Sequence, residues 1–112
     1  EANEAALKVA RKFGIEKGIK KPKIIVFENA FHGRSFATMS ASSGKKNKSM
    51  FGDAISGFIR VPINDLKAIQ SVEAKYSNIA AVMLEPIQGE GGINISKNIV
   101  LKQIRRLPDL LM

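Results

Sequence analysis

The sequence predicts an α/β fold: a mostly parallel sheet with flanking helices. Three observations carry this. There are three short apolar runs rich in β-branched residues, helix-period segments before and between them, and Pro or Gly near the junctions. Strands that are apolar throughout are those buried on both faces, and their alternation with helices implies βαβ units.

Residues 2 to about 17 carry a helix period, with Ala5, Ala6, Val9, Ala10 and Phe13 recurring at three- and four-residue spacing. Glu4 and Lys8 form a favourable i,i+4 pair, and Gly14, Gly18 and Pro22 weaken and end the helix. "KIIVFE" (23–28) reads as the first strand and "SGFIRVPI" (56–63) as the second, stopped by Pro62. Asn64 or Asp65 caps a helix to about Tyr76, with Leu66, Ile69 and Val72 as its apolar face. "IAAVMLEPI" (79–87) has the length of a strand or a buried helix, and Pro86 and the preceding helix favour a strand. Ser96 starts a last helix with Ile99, Leu101, Ile104 and Leu107 inside.

A chain of 112 residues suffices for one small domain and a modest core. No apolar run approaches the roughly 18 residues of a membrane span. The acidic, then amphipathic, opening does not read as a signal peptide. Cysteine is absent and His32 is the single histidine, which argues against disulfides and against a thiolate or histidine metal site. These features suit a cytoplasmic protein. The net charge of +8 raises nucleic acid as a partner. Its lysine-rich runs, "KGIKKPK" (17–23), "KKNK" (45–48) and "KQIRR" (102–106), are scattered and lack interleaved aromatics. Solvated surface is the preferred reading, and a small basic nucleic-acid-binding module the alternative.

The stretch "FENAFHGRSF" (27–36) gathers aromatics, the histidine, a glycine and an arginine just after a strand. Open α/β sheets bind ligands at such carboxyl ends. On residue type alone, Phe31 and Phe36 read as core and Arg34 as a surface charge. Glu85 ends the third apolar run in the same kind of position, and Glu90 lies within the glycine-bearing "IQGEGG" (87–92) that follows. Two carboxylates could serve a hydrolase as acid and base, but nothing else in the chain supports that.

Three blocks together, "EANEAALKVAR" (1–11), "ENAFHGRSFATMSAS" (28–42) and "AVMLEPIQGEGGI" (81–93), resemble the class III pyridoxal-phosphate-dependent aminotransferases, most nearly the acetylornithine aminotransferases. The resemblance covers nearly the whole chain but only about a quarter of such an enzyme. It implies that residues 1–112 are part of the cofactor-binding large domain of fold type I, incomplete at both ends. The implied reaction moves the terminal amino group of N-acetylornithine to 2-oxoglutarate in arginine biosynthesis, with pyridoxal 5'-phosphate as carrier. Ornithine, succinylornithine and 4-aminobutyrate aminotransferases are alternatives. A homodimeric parent and small-molecule partners, without nucleic acid or membrane, are implied as well.

The resemblance also assigns residues. Phe31 lays its ring on the cofactor pyridine, with His32 on the cofactor side or hydrogen-bonding structurally. Gly33 allows a tight turn, and Arg34 binds the substrate carboxylate. Glu85 and Glu90 match acidic positions of the active site, Glu90 as a gate flanked by glycines. The family's Ser-Gly-Ala or Ser-Gly-Thr phosphate turn would immediately precede Glu1. Its Schiff-base lysine and its acidic partner for the pyridine nitrogen would lie beyond Met112. The 112-residue chain alone is therefore expected to be inactive. Residues 110–112 look like the start of another buried strand, although relatives carry several more residues there than Pro108 and Asp109. Expressed alone, the chain is expected to be poorly folded, and a sharp cooperative thermal transition would contradict this.

Overall fold

In the computed structural model, which describes residues 1–43 and 50–107, three strands pair in parallel in the order β2-β1-β3. They are β1 (Lys23–Phe27), β2 (Phe58–Val61) and β3 (Ile79–Val82). Ile25 of β1 lies opposite Ile59 on one side and Val82 on the other. From Ile24 to Phe27 every residue of β1 is buried, as a strand paired on both edges and covered on both faces must be. The second strand is thus shorter than expected. The third ends at Val82 because the chain from Leu84 turns out of the sheet towards Pro86, which has no N–H to give a ladder.

Before the sheet stands α1 (Ala2–Glu16). It closes in a Schellman turn: Gly18 adopts φ +86°, its N–H donates to the Ile15 carbonyl, and the Ile19 N–H donates to that of Gly14. The buried face of α1 is Leu7, Ala10 and Gly14, rotated from the expected one; Ala5 and Ala6 face solvent and Val9 is 58% exposed. Gly14 explains the rotation. A Cβ there would lie 2.6 Å from Pro22 Cβ and 2.8 Å from Ala80 Cβ, so this side of the helix can approach the start of β3 most closely. Glu4 is not paired with Lys8; its carboxylate is taken by Ser35 and Thr38, and the ion pair on the helix is Lys12–Glu16 at 3.7 Å.

After β1 comes α2 (Phe36–Ala41), a helix the hydrophobic period did not announce. Between β2 and β3 lies α3 (Leu66–Lys75), capped by Asp65, one of the two expected candidates, whose Oδ1 accepts from the Ala68 N–H at 2.9 Å. Residues 87–95 form a hairpin of β4 (Ile87–Gln88) and β5 (Asn94–Ile95), antiparallel and separate from the main sheet. The last helix, α4 (Asn98–Arg105), begins after Ser96, because the Ser96 hydroxyl donates to the Glu85 carbonyl instead. Asn64, at φ +60°, fixes this entry by accepting the Lys97 N–H at 2.7 Å and donating to the Ile95 carbonyl at 2.9 Å. Ile104 is buried and Leu107 packs against the core as expected, but Val100 takes the inward place expected of Ile99, which is 66% exposed.

The core has two layers. Leu7, Ala10, Ile24, Val26, Ala41 and Ala81 pack under α1 and α2. Ile25, Phe27, Val61, Ile69, Val82, Val100 and Ile104 pack under α3 and α4. The alternation along β1 sends Ile24 and Val26 to one layer and Ile25 and Phe27 to the other. The basic run at 45–48 and the strand expected at 110–112 lie outside the described residues. Ile25 is fully buried, so Ile25→Ala is expected to destabilise the intact protein by about 3 kcal/mol, read from its urea midpoint.

Candidate functional site

β1 and β3 end side by side, and the segments beyond them meet across the gap. The chain leaves β1 through Asn29, at φ +62°, and runs as a turn to Ser35 that is tied down from several elements. The Phe31 N–H donates to Glu85 Oε1 at 2.8 Å, which joins the exits of β1 and β3. The His32 N–H donates to Ser42 Oγ at 2.8 Å, and the His32 carbonyl accepts from Asn3 Nδ2 at 2.7 Å. The Ser35 hydroxyl donates to Glu4 Oε1 at 2.5 Å. Gly33 has φ +138°, and a Cβ there would stand 2.6 Å from Thr38 Oγ1, so the turn needs glycine twice over.

The β4–β5 hairpin closes over this turn. Gln88 is 1% exposed; its Nε2 donates to the Glu28 carbonyl at 2.9 Å, and its Oε1 accepts from Asn94 Nδ2 at 3.0 Å. Gly91 passes so near Asn29 that a Cβ would fall 2.0 Å from the Asn29 carbonyl oxygen. From the other side Arg60 donates to the carbonyls of Ser40 at 3.0 Å, Ala41 at 3.2 Å and Phe27 at 3.4 Å. It thereby satisfies the carboxyl end of α2 and anchors it to the end of β1.

Between turn and hairpin opens a cavity of ≈280 Å³, lined by Asn29, Phe31, Gly33, Ser42, Ser43 and Glu90 among others. Phe31 is 37% exposed, an aromatic ring on a wall that also carries hydroxyl, amide and carboxylate groups. A larger groove of ≈480 Å³ runs along α1 and β3, but its wall of Leu7, Ala10, Ala81, Met83 and Leu84 offers no convergent polar groups. Ligand sites combine an apolar wall with a few placed polar groups, so the smaller cavity is the candidate. Among the described residues no group of three or more His, Cys, Asp or Glu could hold a metal ion.

The structure thus brings Phe31, Gly33 and Glu90 to one cavity, with Glu85 behind Phe31. Arg34 is exposed and lies beside the cavity, not on its lining. Phe36, read as core from its type, is 62% exposed. His32 is 5% exposed, its Nε2 has no hydrogen-bond partner, and it too stands outside the lining. Burial lowers its pKa, against an opposing pull from the Glu85 carboxylate and with some help from Arg60. Arg60 and Gln88 were missed by sequence reasoning. Arg60 interrupts the apolar run of β2, and that interruption was the available signal.

The aminotransferase class-III family matches residues 1–109. An acetylornithine aminotransferase of Nitrosomonas europaea is 46% identical over 109 residues, 97% of this chain and 28% of that protein. An acetylornithine/succinyldiaminopimelate aminotransferase of Yersinia pestis is 46% identical over 97% of this chain and 27% of its own length. Among solved structures, the ornithine aminotransferase of Toxoplasma gondii ME49 superimposes with a TM-score of 0.86 at 38% identity, covering 96% of this chain and 26% of that one. A transaminase of Virgibacillus gives a TM-score of 0.81 at 28% identity, over 94% of this chain and 26% of that one. The chain belongs to the class-III aminotransferases, and it spans little more than a quarter of the length of the curated relatives it matches.

The lowered His32 pKa has a sign. The unfolded chain takes up a proton near the ordinary value of 6.5 and the folded one only below it, so stability is full above that pH and falls as pH drops through and below it. Lowering the pH from about 7.5 to about 5.5 should therefore reduce the urea midpoint of the intact protein, and His32→Gln should flatten that dependence. An equal slope in both proteins would count against a buried neutral imidazole.

Proposed function

We propose that this chain is part of the large, cofactor-binding domain of a pyridoxal-phosphate-dependent aminotransferase. The intact enzyme would move the terminal amino group of N-acetylornithine to 2-oxoglutarate, a reaction of arginine biosynthesis. The observation that carries this reading is the placing of Phe31: an open aromatic face on a polar cavity where β1 and β3 end, held from behind by Glu85. That wall fits a flat, polar ring. The names of the relatives from Nitrosomonas europaea and Yersinia pestis support the amino donor.

When bound, pyridoxal 5'-phosphate supplies an electron sink for chemistry at the carbon bearing the amine. The residues of this chain bind and orient. Phe31 would cover one face of the ring and keep water from it. Arg34 takes the substrate carboxylate with two parallel N–H donors, a geometry lysine does not offer. Glu85 holds the Phe31 main chain, Glu90 stands as an acidic gate on the hairpin, and His32 supports the turn from the protein side. The first turn of α1, with its outward N–H groups, is suited to the cofactor phosphate. A homodimer in the cytoplasm completes the proposal. Among the described residues no helix is long and apolar enough to cross a membrane.

A second reading, an ornithine aminotransferase, is favoured by the likeness to the Toxoplasma gondii structure. Rates of the intact enzyme with N-acetylornithine and with ornithine, each against 2-oxoglutarate, separate the two. Arg34→Ala is expected to raise KM at least about tenfold, and Phe31→Ala to raise the cofactor dissociation constant about five- to tenfold. Wild-type constants in both variants would remove the residue assignments.

A further inference from the structure

Asn3 and Glu4, neighbours in the first turn of α1, reach the two sides of the Gly33-Arg34 dipeptide. Asn3 Nδ2 donates to the His32 carbonyl at 2.7 Å, and Glu4 Oε1 accepts from the Ser35 hydroxyl at 2.5 Å. The same Glu4 oxygen lies 3.4 Å from the Thr38 N–H of α2. Ser35, at the N-cap of α2, makes no side-chain cap bond of its own. Glu4 therefore serves α2 as a cap supplied from another helix. Its carboxyl group is held below the ordinary 4.5, first by Ser35, against the opposing effect of desolvation, with the Thr38 and Ala37 N–H groups and Lys8 adding to the lowering.

This two-sided hold has a purpose in the chain's geometry. Gly33, at φ +138°, is the residue least able to restrain its successor, Arg34. Among the described residues Arg34 has no ion-pair partner to orient it. Two-point recognition of a carboxylate tolerates about 0.5 Å and 10–20° of error, so the backbone that carries the guanidinium must be fixed by other groups. Asn3 on one side and Glu4 on the other supply that.

We propose that Asn3 and Glu4 are positioning residues for Arg34, setting the affinity of the site for carboxylate-bearing substrates. The proposal rests on Arg34 as the carboxylate ligand, and the test separates the two claims. Glutarate, a dicarboxylate with no amino or keto group, is titrated calorimetrically into the intact holoenzyme and its Asn3→Ala, Glu4→Ala, Glu4→Gln and Arg34→Ala variants. Asn3→Ala and Glu4→Ala should each weaken glutarate and raise KM about three- to tenfold, with kcat changing less. Glu4→Gln keeps an acceptor oxygen for Ser35 and Thr38 and should recover most of the loss.

Unchanged glutarate affinity in both alanine variants, with Arg34→Ala weakened, overturns the positioning role and leaves Arg34 in place. A parallel fall of kcat and melting temperature at constant glutarate affinity overturns it too, because that is a purely structural effect. Unchanged affinity in Arg34→Ala removes the ligand assignment and this inference with it. Should Glu4→Ala not fold, Asn3→Ala decides alone, since it removes only the contact to His32.

Discussion

A strand with neither face nor edge open to water can present polar groups only at its ends, and β1 is such a strand. Its neighbours β2 and β3 occupy both edges, and helices cover both faces. Every polar side chain that belongs to the candidate site is therefore gathered past Phe27. The layers do the rest: α1 and α2 bring Asn3, Glu4 and Ser42 from one side, and the exit of β3 brings Glu85 from the other.

The turn after β1 has Ala30 as its buried apolar anchor, and hydrogen bonds hold the rest of it. A buried donor costs free energy when unpaired, so the His32 N–H depends on Ser42, while Glu85 and Asn3 pin the turn at its more open positions. Arg60 and Gln88 extend the same logic. Each is a polar side chain that satisfies main-chain carbonyls where a strand or helix has run out. Glycine is used where elements come nearest, at Gly14 against Pro22 and Ala80 and at Gly91 against Asn29. The wall around Phe31 is shaped as much by these close approaches as by the side chains facing the cavity.

The α/β class, the three strands and the Asp65 cap were legible in the sequence because each rests on local chemistry: β-branched apolar runs, proline stops and a side chain three residues from its N–H. The motif residues Phe31, Gly33 and Glu90 were legible by family likeness and do share a cavity. The illegible parts depend on distant partners. The six residues of α2 show no apolar period, since Thr38 and Ser40 are buried beside Ala41 by hydrogen bonding. The inner face of α1 lies about one position from the periodic one because Gly14, not hydrophobicity, sets its rotation, and α4 starts later than Ser96 because the Asn64 clasp sets its entry. The ending of β3 and the hairpin at 87–95 were hidden in one apolar run and its glycines.

The cap that Glu4 lends to α2 also orders events in time. A helix of six residues is too short to persist by its own hydrogen bonds, and its first turn waits for an acceptor 34 positions earlier in the chain. That acceptor arrives only when α1 has docked on the sheet. The turn that carries Phe31 and Arg34 is thus expected to assemble late in folding, after the core beneath it. On transient opening it would be among the first parts to let go, while β1 stays closed.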